Sequence, residues 1–473
     1  MTIRNRVFLP TLAVLALTAF CIADEKPNVI LVMADDQGYG DAGFTGHPTL
    51  KTPHMDAMAA AGVVFNRFYA GAPVCSPTRA SVMTGRTPVR VNVPNHGHYL
   101  RPHETTIAEA LKSAGYVTGH FGKWHIGSVQ AESPTSPGGA GFDEWLSGLN
   151  FFDLDPYLSR NGKYMQIKGQ GSVIATDATI EFLRKHAGGD KPMFAVTWFP
   201  APHSPHAEQP VDLPAGIQPY EGEMQGYYRE IQLIDQQLGR LRAALRELEI
   251  AENTIVWYCS DNGGLSEKHS GGRQRKGSIY EGGLRVPAIL EWPAKYKAKE
   301  VDVPAFTCDI YPTILAIAGT TVKKQPPLDG VDLGEIIAGR KATRPAMGFW
   351  HHFTGGQATY SDRFIRTLML AQQVGEPNPL PQRLLKNVNE FPNLPEGQYK
   401  GHAAWNKWPW KLHRIQNGDA VKIELYNLVD DPMETTDLSQ DESARTAALR
   451  AELEAWQASV FRSLEGKDYV GNE

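Results

Sequence analysis

Three apolar runs along the chain each end in polar residues, and they predict the fold. The runs are NVILVMA at 28–34, PMFAVTWF at 192–199 and NTIVWYCS at 253–260. Each is nearly continuous in aliphatic and aromatic residues, which is typical of strands buried on both faces of a parallel sheet. We therefore expect a layered α/β fold, with a large and mostly parallel central sheet between helices.

Helical patterns lie between these strands. TPHMDAMAAAG predicts a helix that begins at Pro53 and ends at Gly62. TTIAEALKSAG contains a capping box formed by Thr106 and Glu109. Residues 221–249 predict a longer amphipathic helix. The alternation of strands and helices agrees with the α/β class.

A change of composition after residue 320 predicts a second, smaller unit. KKQPPLDGVDLGE resembles a linker or surface loop. Residues 408–432 predict antiparallel strands joined by an Asn-Gly turn at 417–418, and a final helix is expected at roughly 440–463. The predicted organisation is a signal peptide at 1–23, a catalytic domain at 24–344 and a C-terminal subdomain at 345–473.

The N-terminus has the pattern of a signal peptide, with basic residues, an apolar stretch and a small residue before DEKPN. We expect cleavage after Ala23 and export to the periplasm or the medium. The apolar stretch is short and contains Pro10, which argues against a stable membrane anchor. A lipoprotein signal through Cys21 is an alternative, disfavoured by the bulky Phe20 before it.

Composition narrows the range of partners. The 473 residues are 42% hydrophobic and 21% charged, with a formal net charge of −5 and no run of five basic residues. These values are typical of a globular protein, and they argue against nucleic acid as a partner.

The polar residues after the three apolar runs are candidate functional residues. Asp35 and Asp36 follow the first run, His203 follows the second, and Asp261 and Asn262 follow the third. Such residues are often only turn formers, but the carboxyl ends of parallel strands meet at one edge of a sheet, where ligands bind. The aspartates and the asparagine form an all-oxygen set, which suits Ca²⁺ or Mg²⁺.

Several basic residues occur in unusual local contexts. Each of them alone is more often a solvated surface charge, and the loop GGRQRKG in particular could be exposed. Together with a metal ion they would suit a tetrahedral anionic ester. They are Arg79, Lys123, His125, His203 and Lys276.

Three cysteines remain after the expected cleavage. Because the number is odd, at least one of Cys75, Cys259 and Cys308 is unpaired, and a Cys259–Cys308 disulfide is left open. Cys259 lies in an apolar run and is expected to be a buried small hydrophobe.

Cys75 lies in a polar context that favours chemistry. We expect Ser76 to cap a helix whose first residue is Pro77, which places Cys75 just before the helix. A thiolate nucleophile with His125 or His203 as its base is one hypothesis, and a structural free cysteine is another. Neither explains a cysteine beside ligands for a hard metal ion.

Six motifs together resemble a known family. They are DDQGYGD at 35–41, CSPTRASVMTGR at 75–86, GKWHIG at 122–127, PHSP at 202–205, SDNGG at 260–264 and KGSIYEGGLRVP at 276–287. In this order they resemble the type I sulfatases of the alkaline-phosphatase-like superfamily, including arylsulfatases and N-acetylgalactosamine-6-sulfatases.

This resemblance implies a cofactor set and a maturation partner. Cys75 would be converted to formylglycine by a formylglycine-generating enzyme, and the hydrated aldehyde would be the nucleophile. One Ca²⁺ would be bound by the modified residue and the oxygen set. The metal ligands would be Asp35, Asp36, Cys75, Asp261 and Asn262.

The resemblance also implies roles for the basic residues. Arg79 would orient the nucleophile, and Lys123 and Lys276 would neutralise sulfate oxygens. His125 would accept a proton from the nucleophile, and His203 rather than His206 would stabilise the leaving alkoxide.

The expected substrate is a sulfated carbohydrate of galactose or N-acetylgalactosamine type. Segments rich in aromatic residues and histidine could contact a sugar, although core packing is the commoner role of such residues. These segments are 92–103, Trp198, 349–353 and Trp405 to Trp410. The alternatives are a phosphomonoester or phosphonate hydrolase on the same scaffold and a non-catalytic glycan-binding relative.

Overall fold

The computed structural model describes residues 26–206, 222–392 and 397–469. The predicted signal peptide at 1–23 lies outside the described residues. The strands are β1 (Asn28–Ala34), β2 (Val63–Phe65), β3 (Phe68–Tyr69), β4 (Val117–Lys123), β5 (Glu144–Gly148), β6 (Tyr157–Arg160), β7 (Lys163–Gln166), β8 (Met193–Trp198), β9 (Thr254–Ser260), β10 (Arg285–Val286), β11 (Ala288–Glu291), β12 (Lys299–Val301), β13 (Ala305–Phe306), β14 (Met347–His351), β15 (Gly401–Lys407), β16 (Trp410–Asn417) and β17 (Ala420–Asn427). The helices are α1 (Pro53–Ala61), α2 (Cys75–Thr84), α3 (Ile107–Ser113), α4 (Gly171–His186), α5 (Gly222–Glu247), α6 (Glu281–Leu284), α7 (Ile310–Ile317), α8 (Gly334–Ile337), α9 (Ser361–Val374) and α10 (Ser443–Leu464).

A ten-stranded sheet forms the centre of the molecule, in the order β12-β2-β11-β9-β1-β8-β4-β5-β6-β7. Its middle five strands, β9-β1-β8-β4-β5, are all parallel. The predicted α/β class with a mostly parallel sheet is therefore confirmed. The three apolar runs are β1, β8 and β9, which lie side by side.

Both faces of this sheet are covered, as continuous apolar strands require. Val29, Leu31 and Met33 of β1 pack on one face with α2, α3 and α7. The alternate residues Ile30 and Val32 pack on the other face with α1, α4 and α5. The central strands thus have no solvent-exposed face, and the polar side chains within them, such as His120 of β4, are buried.

The local helix signals agree with the structure. Helix α1 begins at Pro53 and is followed by Gly62, as predicted. Both hydrogen bonds of the capping box between Thr106 and Glu109 are present at the start of α3. The amphipathic pattern at 221–249 corresponds to α5.

A four-stranded antiparallel sheet, β14-β15-β16-β17, follows the central sheet and packs against α10. Its last hairpin is shifted by one residue from the prediction. Asn417 pairs with Ala420 in the ladder, so the two turn residues are Gly418 and Asp419. Gly418 has a φ of 61°, a conformation that glycine adopts without strain, and this places the turn.

None of the helices in the described ranges is both long and apolar enough to span a membrane.

A buried polar cluster joins the antiparallel sheet to the rest of the molecule. Lys411 of β16 donates a hydrogen bond to Glu281 at 2.8 Å and lies 3.1 Å from Glu434. Glu434 accepts the backbone N–H of Glu281 at 2.6 Å. Tyr69 donates to the other oxygen of Glu281 at 3.0 Å. All these side chains are buried, so Lys411 is a buried ammonium group that the two carboxylates share.

We expect Lys411→Met to lower the free energy of unfolding by about 3–5 kcal/mol, because it leaves two carboxylates buried without their cation. The matched control is Lys407→Met, which removes a cation from the 2.7 Å pair with Glu452 on the surface of the same sheet. That pair is half exposed and should contribute about 1 kcal/mol or less. Urea unfolding of both variants measures the difference, and equal losses would contradict this account of the cluster.

Candidate active site

The ends of β1, β9 and β4 meet at one point on the carboxyl edge of the sheet. Asp35 follows β1, Asp261 follows β9, and Lys123 is the last residue of β4. The backbone N–H of Asp36 donates to Asp261 at 3.0 Å, which joins the first two strand ends directly. Asp36 has a φ of 79°, and its side chain and that of Asp35 are both buried at this point. The structure thus brings together the residues that the strand pattern selected.

The carboxylates form a compact cluster. One oxygen from each of Asp35, Asp36 and Asp261 lies within 4.8 Å of the others. Burial and the neighbouring charge of Asp35 raise the pKa of Asp261 to about 7. Burial also opposes ionisation of Asp36, but the adjacent Lys276 outweighs it and lowers the pKa of that carboxyl.

This oxygen set fits a hard divalent cation. Asp35 Oδ1 and Asn262 Oδ1 are buried without a hydrogen-bond partner among the described residues. Asn262 meanwhile donates from Nδ2 to Asp36 at 2.8 Å, which orients its amide oxygen away from that carboxylate. Oxygen atoms with unused lone pairs beside clustered carboxylates are what Ca²⁺ or Mg²⁺ requires.

Three cations surround the carboxylates. Arg79 of α2 donates to Asp261 at 2.7 Å and to the carbonyl oxygen of Lys123 at 3.1 Å. The ammonium group of Lys123 lies 2.5 Å from Asp35, with both side chains fully buried. Lys276 lies 2.6 Å from Asp36 and its side chain is 24% exposed. The hypothesis that its loop holds Lys276 in solvent is therefore wrong, since the ion pair draws the side chain inward.

Cys75 occupies the first position of α2. The prediction that Ser76 caps this helix is wrong, because Val74 is the residue with extended backbone and Cys75 is already helical. The Ser76 hydroxyl instead accepts the backbone N–H of Gly97 at 3.1 Å. Pro77 is tolerated as the third helical residue, since the first-turn N–H groups have no partner within the helix.

The sulfur of Cys75 lies at the oxygen cluster and not in a core. Ligand atoms of Cys75, Asp35 and His203 are all within 4.8 Å of one another. Burial raises the pKa of the Cys75 thiol, whereas a working thiolate needs a lowered pKa. The thiolate hypothesis is therefore disfavoured.

The three cysteines of the described part of the chain, Cys75, Cys259 and Cys308, are all free and buried. Cys259 and Cys308 therefore do not form the disulfide that the sequence left open.

Two histidines complete the site. His125 is fully buried with a φ of 59°, and its pKa lies well below the usual range because of burial and the nearby Lys123. His203 stacks on Phe151 with ring centroids 4.5 Å apart, and its Nε2 lies 3.9 Å from Asp36. Burial lowers the pKa of His203 to about 3. His206 turns away and contacts the Pro202 carbonyl oxygen at 2.9 Å, so His203 is the histidine of the site.

The aromatic segments divide between core and site. Trp198 is fully buried beneath the guanidinium of Arg79, and Trp405 and Trp410 pack with the antiparallel sheet. Phe151 was not predicted to be part of the site. It follows β5, and neither of the residues directly beside it is charged. Sequence analysis also missed that the segment around Gly97 contacts the residue after Cys75.

Cavities lie at both edges of the sheet. One of about 420 Å³ borders the site and is lined by Phe151, Pro205 and His206. Another of about 400 Å³ lies at the amino ends of β1 and β8, lined by Lys26, Asn28 and Lys191. Ligands in open α/β sheets bind at the opposite edge, where the carboxylates and cations converge.

Comparison with known proteins identifies the family. A family model described as sulfatase matches residues 27–320, which is more than half of the chain. The chain belongs to the sulfatase family. This sulfatase is 31% identical over 369 residues to N-acetylgalactosamine-6-sulfatase of Canis lupus familiaris, covering 68% of each protein. It is also 31% identical over 368 residues to an ulvan-active sulfatase of Formosa agariphila, covering 72% of this chain and 71% of that protein. Membership makes it a sulfuric ester hydrolase.

Solved structures agree with the fold of this sulfatase. The structure of Ps i-CgsB in complex with k-i-k-neocarrahexaose superposes with a TM-score of 0.75 at 24% identity, covering 93% of this chain and 98% of that one. The phosphonate monoester hydrolase of Agrobacterium radiobacter has a TM-score of 0.63 at 21% identity, covering 92% and 96%. These likenesses concern the fold alone.

Proposed function

We propose that this sulfatase hydrolyses a sulfate ester of a carbohydrate, with position 75 as the reacting residue. The observation that supports the proposal is the convergence of Cys75, an oxygen set with unused lone pairs, three cations and two histidines at one sheet edge. The thiol itself is a poor candidate for the nucleophile, because burial keeps it protonated. The residue is better explained as a precursor.

Two groups complete the proposed site. Asp35, Asp36, Asp261 and Asn262, with residue 75, would hold Ca²⁺, and conversion of Cys75 to formylglycine by a formylglycine-generating enzyme would supply a hydrated aldehyde as nucleophile. The protein would then have to bind the sulfate group, accept and return protons, and exclude bulk water.

The cations of the site would bind the sulfate group. Lys123 and Lys276 each pair with one carboxylate of the cluster, and the remaining N–H donors of each ammonium group could bind incoming anionic oxygens. Arg79 is held at both ends, by Asp261 and by the Lys123 carbonyl oxygen, and would orient residue 75 one helical turn away. Fixed donors of this kind stabilise charge as it develops on the sulfate.

The two histidines would move protons. His125 is neutral because burial and Lys123 disfavour its protonated form, so it can accept a proton from residue 75. His203 donates from Nδ1 to the Ser204 carbonyl oxygen at 2.5 Å, which leaves Nε2 directed toward the site. A bound sulfate ester adds negative charge near this ring, which favours the protonated form needed by a leaving alkoxide.

A carbohydrate is the alcohol that the relatives support best. Two of them are named N-acetylgalactosamine-6-sulfatase and ulvan-active sulfatase. We therefore propose a sulfated galactose or N-acetylgalactosamine unit as the substrate.

The protein produced with its converting enzyme is expected to turn over 4-nitrophenyl sulfate and 6-O-sulfated N-acetylgalactosamine, both faster than 4-nitrophenyl phosphate. Because clustered carboxylates repel one another without a cation, chelation should abolish turnover and lower the melting temperature, and added Ca²⁺ should restore both. Release of sulfate and phosphate, measured side by side, gives the comparison.

Three outcomes would contradict the proposal. A phosphate ester turned over faster than every sulfate ester would favour the phosphomonoester or phosphonate hydrolase. Full activity after thorough chelation would exclude the cation. Binding of sulfated saccharides without any turnover by converted protein would indicate a glycan-binding relative.

A further inference from the structure

We propose that His96 accepts a hydrogen bond from a free hydroxyl group of the sulfated sugar, and so selects a carbohydrate over other sulfate esters. This inference rests on the proposed function, because it names a group that recognises the alcohol part of the substrate.

The segment that carries His96 is fixed beside the reacting residue. The next residue, Gly97, donates its backbone N–H to the hydroxyl of Ser76 at 3.1 Å, and Ser76 directly follows Cys75. The carbonyl oxygen of Gly97 accepts from Lys386 at 3.0 Å. The ring of His96 is only partly buried, and it is near enough to Lys276, Lys123 and His125 for their charges to act on one another, which places it beside the site.

The hydrogen bonds of Asn95 determine which nitrogen of His96 carries the proton. Asn95 Nδ2 donates to the Thr354 carbonyl oxygen at 2.8 Å, and Asn95 Oδ1 accepts the backbone N–H of His96 at 2.8 Å. These two bonds fix the amide orientation. Oδ1 also lies 3.0 Å from Nδ1 of the His96 ring, so Nδ1 must donate. Nε2 is therefore left with a lone pair.

The surroundings of this ring favour its neutral form in the free site. Burial and the positive charges of Lys276 and Lys123 lower the pKa of His96. A sulfate oxygen carries no proton and has nothing to donate to such a nitrogen. A sugar hydroxyl does, so Nε2 distinguishes the alcohol part of the substrate from the sulfate. A sulfate ester of a phenol, or of any alcohol that has no second hydroxyl group, cannot make this bond.

A distant segment holds the ring in place. Gln357 donates its backbone N–H to the carbonyl oxygen of His96 at 2.9 Å. Gly356 packs so closely on the imidazole that a Cβ there would lie 1.9 Å from Cε1. Only glycine fits at 356 with the ring where it is. The neighbouring Gly355 has no atom within 4 Å of the corresponding position, which makes it a matched control.

The decisive experiment pairs enzyme variants with substrate analogues. Converted wild type, His96→Ala and His96→Gln are assayed on 6-O-sulfated N-acetylgalactosamine and on its deoxy analogues, each lacking one hydroxyl. We expect one analogue to be about tenfold poorer than the parent for wild type, the loss of one well-placed hydrogen bond. For His96→Ala this ratio should fall close to one. Glutamine can still offer an oxygen and should restore part of the ratio.

A second comparison tests the placement of the ring. Gly356→Ala should reproduce the loss of hydroxyl discrimination, whereas Gly355→Ala should keep the wild-type ratio. Calorimetry in a Cys75→Ala background measures binding of the parent sugar and its analogues without turnover. When His96→Ala or Gly356→Ala is added to that background, the analogue that bound more weakly should bind as well as the parent sugar.

The two proposals fail differently. If converted wild type releases no sulfate from any ester, the proposed function fails. If it hydrolyses the sugar sulfates but His96→Ala keeps every deoxy ratio of the wild type, only the role of His96 is overturned. Equal losses on all substrates, with melting temperatures lowered, would also overturn that role, since they indicate a structural one.

Discussion

Cys75→Ala is expected to lower kcat/KM for sulfate esters by roughly 10⁴ to 10⁶-fold, the loss usual when a covalent nucleophile is removed. The fold should survive, because the side chain starts α2 and makes no structural hydrogen bond that the described residues reveal. In active wild type, the tryptic peptide 68–79 should be lighter than its sequence by about 18 Da, the difference between a thiol and an aldehyde.

The matched control for this variant is Cys259→Ala. Cys259 is another buried free cysteine, but it packs in the core face of β9 with Trp257 and not at the oxygen cluster. It should lose stability and keep its activity. A Cys75→Ala protein with wild-type activity, or an active wild type in which the peptide carries only the unmodified thiol, would refute the precursor role.

Lys123→Met should have the second largest effect, because the side chain serves both the fold and the proposed sulfate site. It is fully buried 2.5 Å from Asp35, and a methionine leaves that carboxylate with only the more distant Arg79, at 3.7 Å, as a cation. We expect kcat/KM to fall by about 10² to 10³-fold, as when a preorganised charge contact is removed. The free energy of unfolding, measured on metal-free protein, should fall by about 3–5 kcal/mol.

Lys112→Met is the control for Lys123→Met. Lys112 forms a 2.7 Å ion pair with Asp143, and its side chain is 49% exposed. Such a pair contributes about 1 kcal/mol or less to the free energy of unfolding. Because it is not part of the proposed sulfate site, its loss should leave kcat/KM unchanged. Kinetics on 4-nitrophenyl sulfate and chelated urea unfolding separate the two effects. Unchanged kcat/KM in Lys123→Met would remove this lysine from the proposed machinery.

The features that sequence analysis predicted well depend on local patterns. The apolar runs became β1, β8 and β9 because a continuous apolar strand has to be buried on both faces. The capping box at Thr106 is a matter of four residues and needs no tertiary context. Convergence of Asp35 and Asp261 followed from a topological rule, since parallel neighbours end at the same edge.

What escaped prediction depends on residues far apart in the chain. Ser76 resembles a helix cap, but its hydroxyl accepts a hydrogen bond from the backbone N–H of Gly97 instead. Lys276 lies in a flexible-looking basic loop, and only Asp36, 240 residues away, brings it inside. His96 owes its tautomer to an amide oriented by the carbonyl oxygen of Thr354. The boundary at residue 344 and the site roles remain predictions.

The buried Lys411 cluster constrains how this enzyme could be trimmed or recombined. Lys276 lies five residues before Glu281, which forms hydrogen bonds with Lys411 and Glu434. A chain cut before β14 would leave Glu281 without these two partners and should loosen the loop that holds Lys276. Chimeras between relatives should therefore exchange the loop together with Lys411 and Glu434, because these two residues fix the segment that follows Lys276.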